Sequence, residues 1–232
     1  MKSALRIFSG FKSMITNKKY PCLMAKSVVK SGDLQVGRHE DYADDGSLDS
    51  LVADLKNFIR RDENLEKNQN HSYIATFPNV EIKDDAHYED FLWRLLKDLH
   101  HYDTEDWDDE VSCNVQDDNF SYSFNGRAFY LIGMHPKSSR MARRSECPSI
   151  VFNLHSQFEN LRDMGVYDSV RDRIRRRDKK LQGSINPMLA NFGESSEAMQ
   201  YSGRQVNKEK WTCPYTFTKK AIDRFSSLLK AI

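Results

Sequence analysis

The run from Phe129 to His155, FYLIGMHPKSSRMARRSECPSIVFNLH, concentrates the side chains able to do chemistry. An apolar, strand-like segment delivers His135-Pro136, a cationic loop with Arg140, Arg143 and Arg144 follows, and a second β-rich segment ends on His155. Imidazoles bind metals or move protons near neutral pH. Pro136 takes the chain out of regular strand pairing, which puts His135 at a sheet rim. Ser138, Ser139 and the arginines combine hydroxyl donors with guanidinium forks, and such forks grip carboxylates or phosphates. Haem propionates, a substrate carboxylate or a nucleotide phosphate would each satisfy them. Both histidines are equally at home as hydrogen-bonded edge residues, so spacing alone does not decide their role.

Cys22 stands just before an expected helix start. Exposed backbone N–H groups and the helix dipole favour thiolate there. Such a thiolate could be a nucleophile, a redox sensor or an iron ligand; a small apolar residue packed under the helix start is the plainer alternative. The segment GSINPMLANFGESSEAMQYSGR carries Glu194, Glu197 and Tyr201, groups able to hold an amino- or guanidino-bearing substrate. Its apolar insertions Met188, Leu189, Phe192 and Met199 favour a lid or pocket wall over a disordered loop.

Several function classes lose support. A net charge of +1 gives no bulk reason to expect nucleic acid. Charge is nevertheless segregated, acidic over 81–118 and basic over 137–180, as solvated faces often are. No apolar run approaches the roughly 20 residues needed to span a membrane. The basic N-terminus lacks the continuous hydrophobic centre of a secretory signal, so a cytoplasmic location is expected. Cys22, Cys113, Cys147 and Cys213 form no C-x-x-C pair, which removes zinc-site spacing and a disulfide scaffold. Neither a Walker-type glycine loop nor G-x-G-x-x-G is present.

The positioning elements follow from periodicity. Apolar spacing predicts an N-terminal helix over residues 3–16 and a second running from the Pro21 turn to about Lys30, broken by Ser31-Gly32. Residues 33–39 look extended. Ser47 is the expected N-cap of a helix through Leu51, Leu55, Phe58 and Ile59. Residues 73–77 read as a strand and 86–102 as the clearest helix. Asn125-Gly126 marks a hairpin between 120–124 and 128–135. A strand over 149–154, helices over 157–164 and 167–180, a long irregular segment over 182–210 and a final helix over 218–229 complete the chain. These elements argue for a single α+β domain on a mostly antiparallel sheet with flanking helices, with residues 1–18 as an N-terminal helix and 19–232 as the domain proper.

The order of the pieces resembles the YqcI/YcgG family. The likeness runs from Tyr20-Pro21-Cys22 through FSYSFNGRAFYLIGMHP, SSRMARR, VFNLHSQFENLR, IRRRD, LQGSINPMLANFGE and QYSGR to WTCPY. The branch with HP, SSR-x-x-RR and N-x-H is similar to haem-dependent N-oxygenases of natural-product biosynthesis. That resemblance implies haem b, O2 as co-substrate, an external electron donor, and a small cationic amine or guanidine substrate oxidised at nitrogen. It implies no nucleic acid and no membrane, and a homodimer is compatible with it. Cys22 or His135, with His155 behind them, would ligate the iron. Ser139, Arg140, Arg143 and Arg144 would hold propionates or a substrate carboxylate. Glu194, Glu197 or Tyr201 would orient the substrate nitrogen, and an unused imidazole would relay protons. A haem-binding or small-molecule-binding sensor without catalysis is the competing reading.

Overall fold

Strand residues of alternating parity go to different helical layers, and that split organises the molecule. The structure is a computed structural model and describes residues 4–41, 45–63, 69–191 and 193–219. Its sheet comprises β1 (Leu34–Arg38), β2 (Ser72–Thr76), β3 (Tyr122–Phe124), β4 (Arg127–Met134) and β5 (Ser149–Leu154), in the order β1-β2-β5-β4-β3. β1 runs parallel to β2, and every other pairing is antiparallel. The expected α+β class and mostly antiparallel sheet are therefore observed. Asn125 and Gly126 take φ of 51° and 70°. Positive φ at both central residues gives the hairpin turn its hand, and few sequences other than Asn-Gly accept it readily.

One face of the sheet presents Tyr73, Ala75, Phe129, Leu131, Ile150, Phe152 and Leu154. Against it lie α3 (Asp45–Asp62), through Leu51, Leu55 and Phe58, and α4 (Asp85–Tyr102), through Phe91, Leu92, Leu95 and Leu99. Each such burial contributes about 1.5–3 kcal/mol, so this face supplies most of the hydrophobic stabilisation. Asp84 caps α4 by accepting from the His87 N–H. The opposite face presents Ile74 and Met134 to Ile7, Phe11 and Ile15 of α1 (Ala4–Thr16) and Val28 of α2 (Leu23–Ser31). Two further helices, α5 (Ser156–Asp163) and α6 (Tyr167–Gln182), extend that layer. The main neighbours of α6 are α2, α5 and the 3-10 turn Met141–Arg143, not the sheet.

Three expectations need correction or fall outside the description. α3 begins at Asp45, so Ser47 lies inside its first turn and is not its cap. Cys22 is the N-cap of α2, which leaves Pro21 just before the helix. The expected final helix lies beyond the described residues after Lys219, as does Phe192. Among the described residues from 183 to 219, the chain is irregular except for α7 (Ala198–Tyr201). Among the described residues, no helix is long and apolar enough to cross a membrane.

Candidate functional site

In the middle of the sheet's second face, Tyr130, Ile132, Val151 and Asn153 are only half-buried, although Leu131 and Phe152 beside them are fully buried. Central strands are normally covered on both sides. Here a cavity of about 260 Å³ separates this floor from a cover made by α1, α2, α5 and α6, with Phe158, Val170 and Ile174 facing it. Empty apolar volume costs roughly 24 cal/mol per Å³. A concave, mainly apolar space of this kind is the usual form of a small-molecule site.

Polar side chains also line the cavity, and those able to do chemistry have definite sources. Cys22 reaches it from the start of α2, where its Sγ accepts from the Ala25 N–H at 3.4 Å. The helix amides lower its pKa as expected, but burial outweighs them and the thiol is raised. His155 follows β5 and shares the face of Val151 and Asn153. Burial first, then Arg162, lowers its pKa to about 4, so the imidazole is neutral at pH 7. Arg140 lines the cavity but is already engaged, donating to Asp178 at 2.5 Å and to the Ser184 carbonyl at 3.0 Å.

Arg143 is different. It is only 7% exposed, and its Nη1 donates to the carbonyls of Tyr201 at 2.9 Å and Gly133 at 3.3 Å. Among the described residues no carboxylate forms an ion pair with it. Desolvation lowers its pKa, against the opposing pull of Tyr130, Tyr88 and Tyr20. Two glycines make its seat. A Cβ on Gly133 would lie 2.7 Å from the Tyr201 carbonyl oxygen, and one on Gly203 would lie 2.6 Å from Arg143 Cδ. A buried guanidinium that faces a cavity with no carboxylate in ion-pair contact, Asp178 acting on it only at longer range while paired with Arg140, is a place for an anion.

Glu197 and this cation act in opposite senses on the Tyr130 hydroxyl: burial raises its pKa, Glu197 adds to the rise and Arg143 opposes it. Glu197 lines the cavity at 2% exposure. Its Oε2 accepts from Ser121 Oγ at 2.9 Å and Tyr201 OH at 3.3 Å. Burial pushes its pKa up to about 8 despite those hydroxyls.

Other sequence candidates lie elsewhere. His135 belongs to the opposite parity from His155 and is wholly buried on the α4 side. Its Nε2 lies 2.9 Å from Asp85 Oδ1 and its ring stacks on Tyr88 at 4.6 Å, so the structure does not bring it to the cavity with Cys22. Ser139 is exposed, its N–H donating to Asp85. Arg144 is also exposed, and its Nε donates to the Ser138 carbonyl. Glu194 accepts from Asn191 at the surface. Tyr201 is fully buried behind the cavity wall, where its hydroxyl supports Glu197 and its carbonyl supports Arg143.

Sequence reasoning left Tyr130 out of the site. The signal was available: Tyr130 and Asn153 are polar residues in the interior of largely apolar strands, and they pair directly across β4 and β5.

A sequence model of the YqcI/YcgG family matches residues 11–216. The chain belongs to the YqcI/YcgG family. Its relatives include two uncharacterised proteins of Bacillus subtilis (strain 168). YcgG is 20% identical over 88% of this chain and 84% of the relative, and YqcI is 24% identical over 88% and 85%. DcsA of Streptomyces lavendulae, provisionally named an N(omega)-hydroxy-L-arginine synthase, is 25% identical over 90% of this chain and 83% of its own length. No solved structure matches the chain.

The residues that line the cavity of this YqcI/YcgG chain are compatible with a haem. The cavity walls are largely apolar, a thiol and a neutral imidazole enter the same space, and Arg143 lines it with no ion-paired carboxylate among the described residues. Among the described residues, no group of three or more His, Cys, Asp and Glu side chains could hold a bare metal ion. A porphyrin brings its own nitrogen ligands, so one protein side chain suffices.

Proposed function

We propose that this protein is a haem-dependent N-oxygenase that hydroxylates the amine or guanidine nitrogen of a small, amino-acid-like substrate. The observation that carries the reading is the cavity itself, where apolar central-strand residues, a thiol, a neutral imidazole and an unpaired buried guanidinium face one space. The kinship with a protein named for arginine N-hydroxylation supplies the reaction class.

Haem, when bound, supplies the activation of dioxygen. Cys22 or His155 would hold it, and Arg143 would neutralise a propionate or the substrate carboxylate. In the overall reaction one oxygen atom enters an N–H bond to give N–OH. The other leaves as water, with an electron pair from an external donor and matching protons. The apolar cover from α1, α5 and α6 excludes bulk water from the reacting nitrogen. Proximity then selects which nitrogen reacts.

The test is incubation of haem-supplied protein with reductant, oxygen and a panel of cationic amines and guanidines, read by mass spectrometry. A product heavier by one oxygen is expected. A haem spectrum without any such product would favour a sensor, and absence of haem binding would remove both readings.

A further inference from the structure

Carboxyl groups are scarce in the cavity. Among the described lining residues they are Asp178 and Glu197. Asp178 is taken by Arg140. Around the same space stand Arg143, Arg162, Arg171 and Arg175; Arg162 pairs with Glu159 and Arg171 with Asp168 and Asp172, so few lining groups are left to receive a cation. Glu197 is the exception. Its Oε2 is held by Ser121 and Tyr201, whereas its Oε1 bonds to no described residue. It is 2% exposed and lies on the cavity wall.

We propose that Glu197 seats the cationic nitrogen end of the substrate and thereby sets a preference for a cation over its neutral isostere. The inference rests on the function proposed above and names the residue that chooses the nitrogen. A carboxylate with one oxygen fixed by two hydroxyls has its second oxygen aimed without further ordering, which is what a charge-assisted hydrogen bond to an ammonium or guanidinium needs. The surrounding hydroxyls can also serve a protonated carboxyl. Ser121 Oγ lies 3.1 Å from the Phe129 carbonyl, so its single hydrogen can move from Glu197 to that oxygen. Glu197 can then donate to Ser121. The site tolerates either protonation state before the cation arrives, and the cation selects the ionised one. Arg143 lines the same cavity and offers a complementary pole for the carboxylate of a zwitterion with a distal cation.

The experiment is calorimetric titration of the full, haem-supplied chain with L-arginine against L-citrulline, and with L-lysine against L-norleucine. The wild type is expected to bind at least one cation tenfold or more tightly than its neutral partner. Glu197→Gln keeps the size and the hydroxyl contacts, and is expected to bring the members of that pair within about threefold of each other. Equal binding within both pairs by the wild type overturns the proposal even if the variant does not fold. A Glu197→Gln protein that retains the wild-type ratio overturns it too, and leaves N-oxygenation standing if product still forms. Cation preference lost in Glu197→Gln, in a protein that makes no oxygenated product, keeps this site and discards the oxygenase reading.

Discussion

Arg143 is locked to the Tyr201 carbonyl at 2.9 Å, and through that bond a buried cation is tied to the turn that ends α7. The contact joins two segments that are far apart in the chain, the cationic loop and the QYSGR stretch. It leaves the rest of the guanidinium facing the cavity.

Arg143→Gln removes the cation while keeping a polar group of fair length. Haem or arginine affinity, measured by titration, should fall at least tenfold, equivalent to about 1.4 kcal/mol. Unaltered affinity for both would mean that the guanidinium serves only to satisfy the Gly133 and Tyr201 carbonyls.

Gly203 adopts φ of 81°, and a Cβ there would strike Arg143 Cδ. Gly203→Ala therefore combines a left-handed backbone penalty with a clash against a seated side chain. A loss of about 1–3 kcal/mol in urea denaturation is expected. Wild-type stability would show that the turn and Arg143 are free to move apart.

Much of the fold was legible because its signals are local. The strand over 149–154 has the expected bounds, Asn125-Gly126 makes the expected turn, and the apolar stripe of α4 is the expected core face. The site was harder, since its membership depends on register. His135 and His155 look alike in sequence, yet β4–β5 pairing puts Met134 opposite Ser149 and so sends the two imidazoles to opposite faces. Arg140 and Arg143 also look alike, and only the approach of Asp178 from α6 separates the spent cation from the available one. In the loop before α7, Glu194 and Glu197 differ by three residues. One turns to Asn191 at the surface and the other to Ser121 inside.

Glu197 makes stability depend on pH in a particular direction. Its folded pKa of about 8 lies above the ordinary value of 4.5. The folded state keeps a proton that the unfolded state has released, so stability is full below pH 4.5 and is lost as pH rises towards 8. Glu159 of α5 reinforces the shift, whereas Arg162 and the hydroxyls of Ser121 and Tyr201 oppose it. Urea midpoints at pH 5 and pH 8 should differ more for wild type than for Glu197→Gln. An equal difference would place the carboxyl's titration in the ordinary range.

His135→Ala should act on stability and leave the cavity alone. It deletes the ring stacked on Tyr88 and the hydrogen bond to Asp85. A loss of about 2–4 kcal/mol is expected from a cavity in a packed layer and the lost hydrogen bond, although Asp85 keeps the Ser139 N–H. Ligand affinity per folded molecule should not change. A large fall in haem affinity at unchanged stability would give His135 a direct role.

The most direct test is the visible spectrum of the purified chain supplied with haem, compared among wild type, Cys22→Ala and His155→Ala. The account predicts a Soret band in the wild type and a displaced or weakened band in at least one variant, because both side chains share the cavity with the proposed porphyrin. A wild type that acquires no Soret band, or a band identical in all three proteins, would contradict it.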